Sequence, residues 1–361
     1  MGVSMLRALD IGLIADSRNP IREPFAGGLE AHTHALATGL RARGHRVTIY
    51  ASDASDAGLG VVPVHVPGER LRLSGRARSD TSMPDERFMQ DHHAYLDLML
   101  RLRRTSHEVL HNNSLHYLPV AMAPSLSLPV VTVLHTPPTP WIESAAQCTA
   151  RAGSEFVSVS QANARAWRHS LKVRAVVANG VDLDVWRSGR PADPPYAVWT
   201  GRLVPEKAPH LAIEAARRAG LALRIAGPTP DPHYFEREVR GRLGGGIVHL
   251  GHLSRRELVK LVGGARVSLV TPCWDEPYGL VVAESLACGT PVAGFARGAI
   301  PEILDERCGR LAEPDDIAGL ARAATQAMRL RREDCRRRAE NSCSLDAMVR
   351  RYEALYFELA A

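Results

Sequence analysis

The sequence predicts an α/β protein built from two doubly wound parallel-sheet domains that face each other across a cleft. Its 361 residues are too many for one ordinary core and suit two domains of roughly 150 to 200 residues. Short apolar strands alternate with amphipathic helices from end to end, the pattern of parallel sheets covered by helices on both faces. That rhythm breaks at Ser188–Pro195, where three prolines and a glycine fall within eight residues, and then restarts. Such a stretch reads as a linker crossed by few contacts. It divides the chain into 1–188 and 189–344, with 345–361 expected as a last helix that docks back on the first part.

In the first half, Leu9–Ala15 (LDIGLIA) reads as a buried strand. Gly28–Arg43 places Leu29, Ala31, Ala35, Leu36 and Leu40 at helical spacing, Gly44 stops the helix, and Val47–Ala51 is again a strand. Glu108–His111 has only Val109 and Leu110 as apolar residues and reads as a short strand. The most apolar stretch, Leu118–Leu134, contains Pro119, Pro124 and Pro129, which makes it a buried helix plus the strand Val130–Leu134 and not a membrane span. Phe156–Val159 and Ala175–Ala178 complete the half. The second half repeats the pattern with strands at Ala197–Thr200, Ala222–Ala226, Ile247–Leu250, Val267–Val270 and Pro291–Gly294. Ligands of such sheets sit at the carboxyl ends of the strands. Gly60–Met89 is the least regular stretch and carries Arg70, Arg72, Arg76 and Arg78; it reads as a solvated loop or as one facing an acceptor or a membrane. The six arginines between Arg329 and Arg338, interleaved with Glu333 and Asp334, read as a surface helix.

A hydrophobic content of 45% with 23% charged residues is that of a soluble globular protein. The net charge of +6 suits an anionic ligand or membrane surface without calling for nucleic acid. Six scattered cysteines without a C-x-x-C pair argue against a zinc site or a disulfide framework. Met1–Ala15 lacks a long apolar run ending in a small-residue cleavage site, so no signal peptide is expected and the cytoplasm is the default.

The sharpest chemical feature follows Val267–Val270: Pro272, Trp274, Asp275, Glu276, Pro277, Tyr278 and Gly279 lead into a helix over Leu280–Cys288. Unpaired N–H groups and the helix dipole at such a turn favour an anion. Glu284 lies about 7.5 Å farther along the helix axis, so a phosphate there would have a carboxylate on either side. Carboxylates accept from paired hydroxyls, which suits a sugar and a ribose flanking a diphosphate. The same spacing also fits a plain turn with a surface Glu and a half-buried one. Thr200–Lys207 (TGRLVPEK) lies between a strand and a helix; Arg202 and Lys207 could neutralise a departing diphosphate or simply be solvated. Gly27–Gly28 after the first strand allows close backbone approach, but the G-x-G-x-x-G dinucleotide fingerprint is absent. His135 ends a buried strand and could be structural or catalytic. The tract His111–Ser114 is polar at another strand end.

Together and in this order, these features resemble glycosyltransferase family 4. The resemblance covers nearly the whole chain: Gly27–Gly28, Gly44–Val47, His135, Ser158–Ser160, Asn179–Asp182, Gly201–Lys207, Glu276 to Glu284 and Ala287–Val292. It implies the GT-B fold and a retaining, metal-independent hexosyl transfer, without a cofactor, from a nucleotide-sugar donor, with UDP the commonest carrier, to a hydroxyl acceptor. Carried over by position, Gly28, Arg202 and Lys207 would bind the donor diphosphate. Glu276 and the segment Pro277, Tyr278, Gly279 and Leu280 would hold the donor sugar, Glu284 the ribose, and His135 would lie near the sugar as a catalytic residue. Ala208 departs from the glycine usual after the lysine. A polysaccharide or cell-envelope intermediate is the first expectation for the acceptor and a small metabolite the second, with peripheral membrane contact possible near Arg70–Arg78. The rivals are a nucleotide-sugar epimerase, a glycan phosphorylase and a non-catalytic nucleotide-sugar binder.

Overall fold

The computed structural model describes residues 7–65, 71–82, 84–149 and 154–361. Among the described residues the first sheet contains seven parallel strands: β1 Asp10–Ile14, β2 Arg46–Ala51, β3 Val61–Pro63, β4 Val109–Asn112, β5 Val130–Leu134, β6 Ser154–Ser158 and β7 Val173–Val176. The second contains six: β8 Ala197–Thr200, β9 Leu223–Ala226, β10 Ile247–His249, β11 Val267–Val270, β12 Val292–Phe295 and β13 Gly309–Ala312. Their orders are β3-β2-β1-β4-β5-β6-β7 and β10-β9-β8-β11-β12-β13. Each sheet therefore reverses direction at one point, between β1 and β4 and between β8 and β11, and a crevice opens outside the carboxyl ends at such a point.

Side-chain alternation shows that both faces of each sheet are covered. In β8, Ala197 and Trp199 pack into one cluster while Val198 joins another. In β4, Val109 and Leu110 likewise fall into separate clusters. The last helix, Leu345–Leu359, lies against the helix Gly28–Ala42 of the first sheet's layer. Its Tyr352 and Tyr356 are fully buried, and a side chain at Gly39 would collide with Val349 at 2.7 Å. Polar bonds reinforce the packing: Glu353 accepts from Arg43 at 2.7 Å and is 3.0 Å from the His45 ring.

The strands foreseen from apolar runs are present, with ends shifted by one or two residues. Two edge strands, β3 and β13, were not anticipated. Val61–Pro63 is only three residues and ends in a proline, and Gly309–Ala312 opens with Gly-Arg, so neither gives a periodic signal. Gly60–Met89 is not simply a loop: it holds β3, a short helix Gly75–Arg78 and the start of the helix Glu86–Leu102. Arg70 lies outside the described residues.

The arginine-rich helix, Arg332–Ser342, lies at the surface as its sequence predicts, but three of its arginines turn inward. Arg332 donates to the carbonyls of Gly263, Ala265 and Cys288, at 2.7 to 3.0 Å. Arg336 donates to those of Trp186 and Ala287 at 2.7 and 2.9 Å, and Arg338 to Ile303 at 2.8 Å. The carbonyls at Gly263–Ala265, Ala287–Cys288 and Ile303 close three helices and lack partners within them. The guanidiniums supply both hydrogen bonds and charge to those negative helix ends. One face of this helix thus clamps others in place, while Glu333, Arg337 and Glu340 on its other side are exposed.

Candidate active site

A cavity of about 360 Å³ opens between the carboxyl ends of the two sheets. Gly28, His135, Arg202, Lys207, the run Glu276 to Leu280, and Glu284 all line it. These residues are spread over more than 250 positions of sequence, and the two switch points bring them together.

On the C-terminal side, β8 delivers Gly201–Lys207 and β11 delivers Thr271–Gly279. The turns fit because glycine lets backbones touch: a Cβ on Gly227 would come within 1.7 Å of the Gly201 carbonyl oxygen. Behind the other turn, a Cβ on Gly298 would lie 2.3 Å from the backbone N and O of Glu276. Thr271 ties the two turns together. Its Oγ1 accepts from the Trp199 indole at 3.0 Å and lies 3.0 Å from the carbonyls of Lys207 and Ala208, to which it donates. Ala208 adopts a left-handed conformation (φ 45°, ψ 55°) at the start of the helix Pro209–Arg218. That conformation costs a non-glycine residue about 1 kcal/mol.

The Lys207 ammonium donates to Glu276 Oε2 at 2.5 Å and sits 4.9 Å from the centre of the Trp274 ring. The Trp274 indole also donates to Oε2, at 3.1 Å. Both bonds fall on one carboxylate oxygen and orient the other for a further partner. Directly after Glu276, the helix Leu280–Ala287 begins at Gly279 (φ 100°) with no side-chain cap. Val282 N–H closes onto the Gly279 carbonyl at 2.9 Å, so the N–H groups of Leu280 and Val281 are the ones available to an anion or hydroxyl. Pro277 has no N–H to offer, and the Tyr278 phenol is buried beside Cys343, so this segment meets the cavity through its backbone from Tyr278 onward. Glu284 is pushed up to about 7 by burial, partly countered by Arg255.

The N-terminal wall is of another kind. Gly28 opens the helix Gly28–Ala42 with Gly27 as an extended cap. A Cβ on Gly28 would reach Leu280 Cδ1 at 3.1 Å, so the two walls touch there. His135 Nε2 lies 2.8 Å from Asn113 Oδ1, which also lies 2.9 Å from His111 Nε2. An amide oxygen only accepts, so both imidazoles carry their proton on Nε2. The Tyr356 hydroxyl then donates to His111 Nδ1 at 2.6 Å. A relay thus runs from the last helix through His111 and Asn113 to His135. Burial holds His135 well below its ordinary range, with His32 and His111 adding to the shift. At neutral pH it is a neutral imidazole whose bare Nδ1 can accept from a hydroxyl.

Polar contacts bridge the walls beside the cavity. Glu302 accepts from the backbone N–H groups of Gln161 and Ala162 at 2.9 and 2.5 Å. Arg255 pairs with Glu23 at 2.8 Å, and His252 Nε2 meets the Phe25 carbonyl at 2.9 Å.

Residues 26–185 match the family model described as Glycosyltransferase Family 4, and residues 181–343 match Glycosyl transferases group 1. The chain belongs to glycosyltransferase family 4. This glycosyltransferase is 27% identical over 341 residues to glycogen synthase of Mycobacterium tuberculosis, covering 82% of the chain and 81% of that protein. It is 33% identical over 178 residues to the D-inositol 3-phosphate glycosyltransferase of Mycobacterium avium, covering 42% of each. Its fold is similar to that of sucrose-phosphate synthase from Thermosynechococcus elongatus (TM-score 0.77, 19% identity, 98% of this chain and 99% of the other). It is also similar to Anabaena HepE in complex with UDP and glucose (TM-score 0.75, 16% identity, 98% and 100%). The two parallel-sheet domains are those of the GT-B fold.

Several residues of this glycosyltransferase's cavity carried no assigned role in the sequence. Trp274, Thr271 and Gly227 line it, and Asn113 positions His135. An aromatic residue two positions before Glu276 was the one local signal for Trp274. Nothing local marks Tyr356, which acts from more than 200 residues away. No helix among the described residues is long and apolar enough to cross a membrane.

Proposed function

We propose that this glycosyltransferase moves a hexose from a UDP-linked donor to a hydroxyl acceptor with retention of configuration and without a metal ion. The observation that carries this reading is the Lys207–Glu276 pair set in front of the uncapped helix Leu280–Ala287, with Arg202 and Glu284 on the same cavity. Relatives solved with UDP and with UDP-glucose lend the choice of donor support.

In this reading Arg202, Lys207 and the Gly28 backbone hold the diphosphate. The cations and helix amides then stabilise the charge that develops on it as the bond to the anomeric carbon breaks. Glu276 Oε1 and the N–H groups of Tyr278 to Leu280 grip sugar hydroxyls, and Glu284 accepts from the ribose hydroxyls. The acceptor oxygen attacks from the face the diphosphate leaves, and its proton passes to the departing phosphate oxygen. His135 orients the sugar by accepting from a hydroxyl at Nδ1. Glu276 positions the sugar and does not attack it.

The test is acceptor-free hydrolysis of a nucleotide-sugar panel, repeated with Glu276→Gln. Turnover of a UDP-hexose by the wild type is expected to fall about 10²–10³-fold in the variant. Intact turnover in Glu276→Gln would remove the donor-site assignment. A glycosyl–Glu276 adduct in the mass spectrum would replace the front-face mechanism with a covalent one.

A further inference from the structure

Beside the donor cavity, a stack of aromatic and imidazole rings climbs out of the N-terminal core. Its base is Tyr95, buried in the helix Glu86–Leu102. The Tyr95 hydroxyl donates to the Ala15 carbonyl at 2.9 Å and accepts from Ser17 N–H at 3.0 Å, which ties it to the end of β1. His116 stacks on Tyr95 at 4.4 Å and 19°, and Tyr117 stacks on His116 at 4.9 Å and 25°. Trp141 leans on Tyr117 at 4.7 Å and on Phe88 at 5.1 Å. The indole at the top of the stack is 44% exposed.

The elements involved explain where the stack stands. His116 and Tyr117 follow β4, Trp141 opens the helix Pro140–Thr149 after β5, and Phe88 lies in the first turn of the helix that precedes β4. All are at the carboxyl end of the sheet, the end that faces the cleft. The platform runs into the donor cavity through Leu115, which lines that cavity, is itself 41% exposed, and adjoins His116 in sequence.

Its edges are polar. His116 Nδ1 accepts from Leu118 N–H at 3.2 Å, which leaves its proton on Nε2 to be donated. The Tyr117 hydroxyl is 2.9 Å from His92 Nδ1, and Arg18 pairs with Asp91 at 3.0 Å nearby. Burial lowers His116 to about 4 and lowers His92, so these rings are uncharged at neutral pH.

We propose that this platform is the acceptor site and that the acceptor is a saccharide, one ring of which lies on Trp141 while the reacting hydroxyl reaches past Leu115 into the cleft. The site rests on the transferase reading above and adds the chemical class of the second substrate. A pyranose presents an apolar C–H face with a rim of hydroxyls, the complement of an exposed indole rimmed by donors and acceptors. An acyl chain or bilayer would strip water from the His116, Tyr117 and Arg18–Asp91 groups without replacing their hydrogen bonds.

The experiment is retention of the full-length protein, with UDP present, on an immobilised panel of neutral and acidic oligosaccharides. Wild type, Trp141→Ala and Trp141→Phe are compared, with melting temperatures recorded to show that each is folded. Retention of the wild type on at least one saccharide class is expected, with a loss of tenfold or more in Trp141→Ala and partial recovery in Trp141→Phe. Retention no stronger than that of Trp141→Ala on every saccharide would overturn the proposal. So would Trp141-dependent binding to phosphatidylglycerol vesicles in place of saccharides. The transferase reading fails separately: it falls if the wild type hydrolyses no nucleotide sugar, whatever the saccharide panel shows.

Discussion

Across the cleft, the C-terminal wall gathers Arg202, Lys207, Glu276 and Glu284 on one cavity, whereas the N-terminal wall offers a glycine pair and a neutral imidazole backed by Asn113. In the proposed function the first wall works by charge and by unpaired backbone N–H groups. Its ionic groups are local in sequence, each pair within two short turns. The second works by shape and by fixed hydrogen-bond direction, and its geometry is inherited from distant parts of the chain. The contrast matters because the walls fail differently. A charged wall loses affinity when a charge goes, while a positioning wall keeps affinity and loses turnover.

The relay from Tyr356 tests that contrast most severely. Tyr356→Phe removes the hydroxyl that donates to His111 Nδ1 and leaves a buried acceptor unpaired. Stability measured by denaturant unfolding is expected to fall by about 1–3 kcal/mol. The kcat is expected to fall about tenfold, the equivalent of one misdirected hydrogen bond, with UDP affinity unchanged. Loss of UDP affinity instead would put the relay on the donor side.

Glu284 sharpens the other wall. Burial raises its folded pKa to about 7, above its unfolded value of 4.5. The protonated form is therefore favoured by folding: its contribution is fully present below pH 4.5 and is lost as pH rises through 7. Glu284→Gln, neutral throughout, is expected to show a flatter stability profile between those values, checked by urea unfolding across pH. In the proposed function ribose hydroxyls donate to the ionised form, so UDP affinity of the wild type is expected to rise from pH 5.5 to 8 and to do so far less in Glu284→Gln. The smallest effect is expected at Ala208, whose left-handed backbone suits glycine. Ala208→Gly is expected to relieve strain of up to about 1 kcal/mol, offset in part by the freer unfolded chain, with turnover unaltered. Thermal unfolding and a donor-hydrolysis assay check both halves.

How much of this was legible in the sequence follows the same division. The buried strands showed because strands of parallel sheets covered on both faces are nearly continuous apolar runs, interrupted only by Thr132 in Val130–Leu134 and Ser268 in Val267–Val270. The strands Val61–Pro63 and Gly309–Ala312 did not, since three or four residues interrupted by proline or by Gly-Arg carry too little pattern. That Arg332, Arg336 and Arg338 turn inward from the surface helix Arg332–Ser342 did not show, because composition cannot reveal which carbonyls lie opposite. In the cavity, Glu276, Glu284, Arg202 and Lys207 were readable as charges spaced around a turn. The Lys207–Glu276 contact, the Trp274 bond and the relay through His111 depend on tertiary placement that no local spacing encodes.

The comparison of the walls is tested most directly by UDP affinity and kcat measured side by side for Lys207→Ala and His135→Ala. Lys207→Ala is expected to weaken UDP by tenfold or more, as loss of a charge-assisted phosphate contact should. His135→Ala is expected to bind UDP like the wild type and to lose turnover. Equal UDP affinity in Lys207→Ala and the wild type, or a His135→Ala variant that loses UDP and not kcat, would contradict the account.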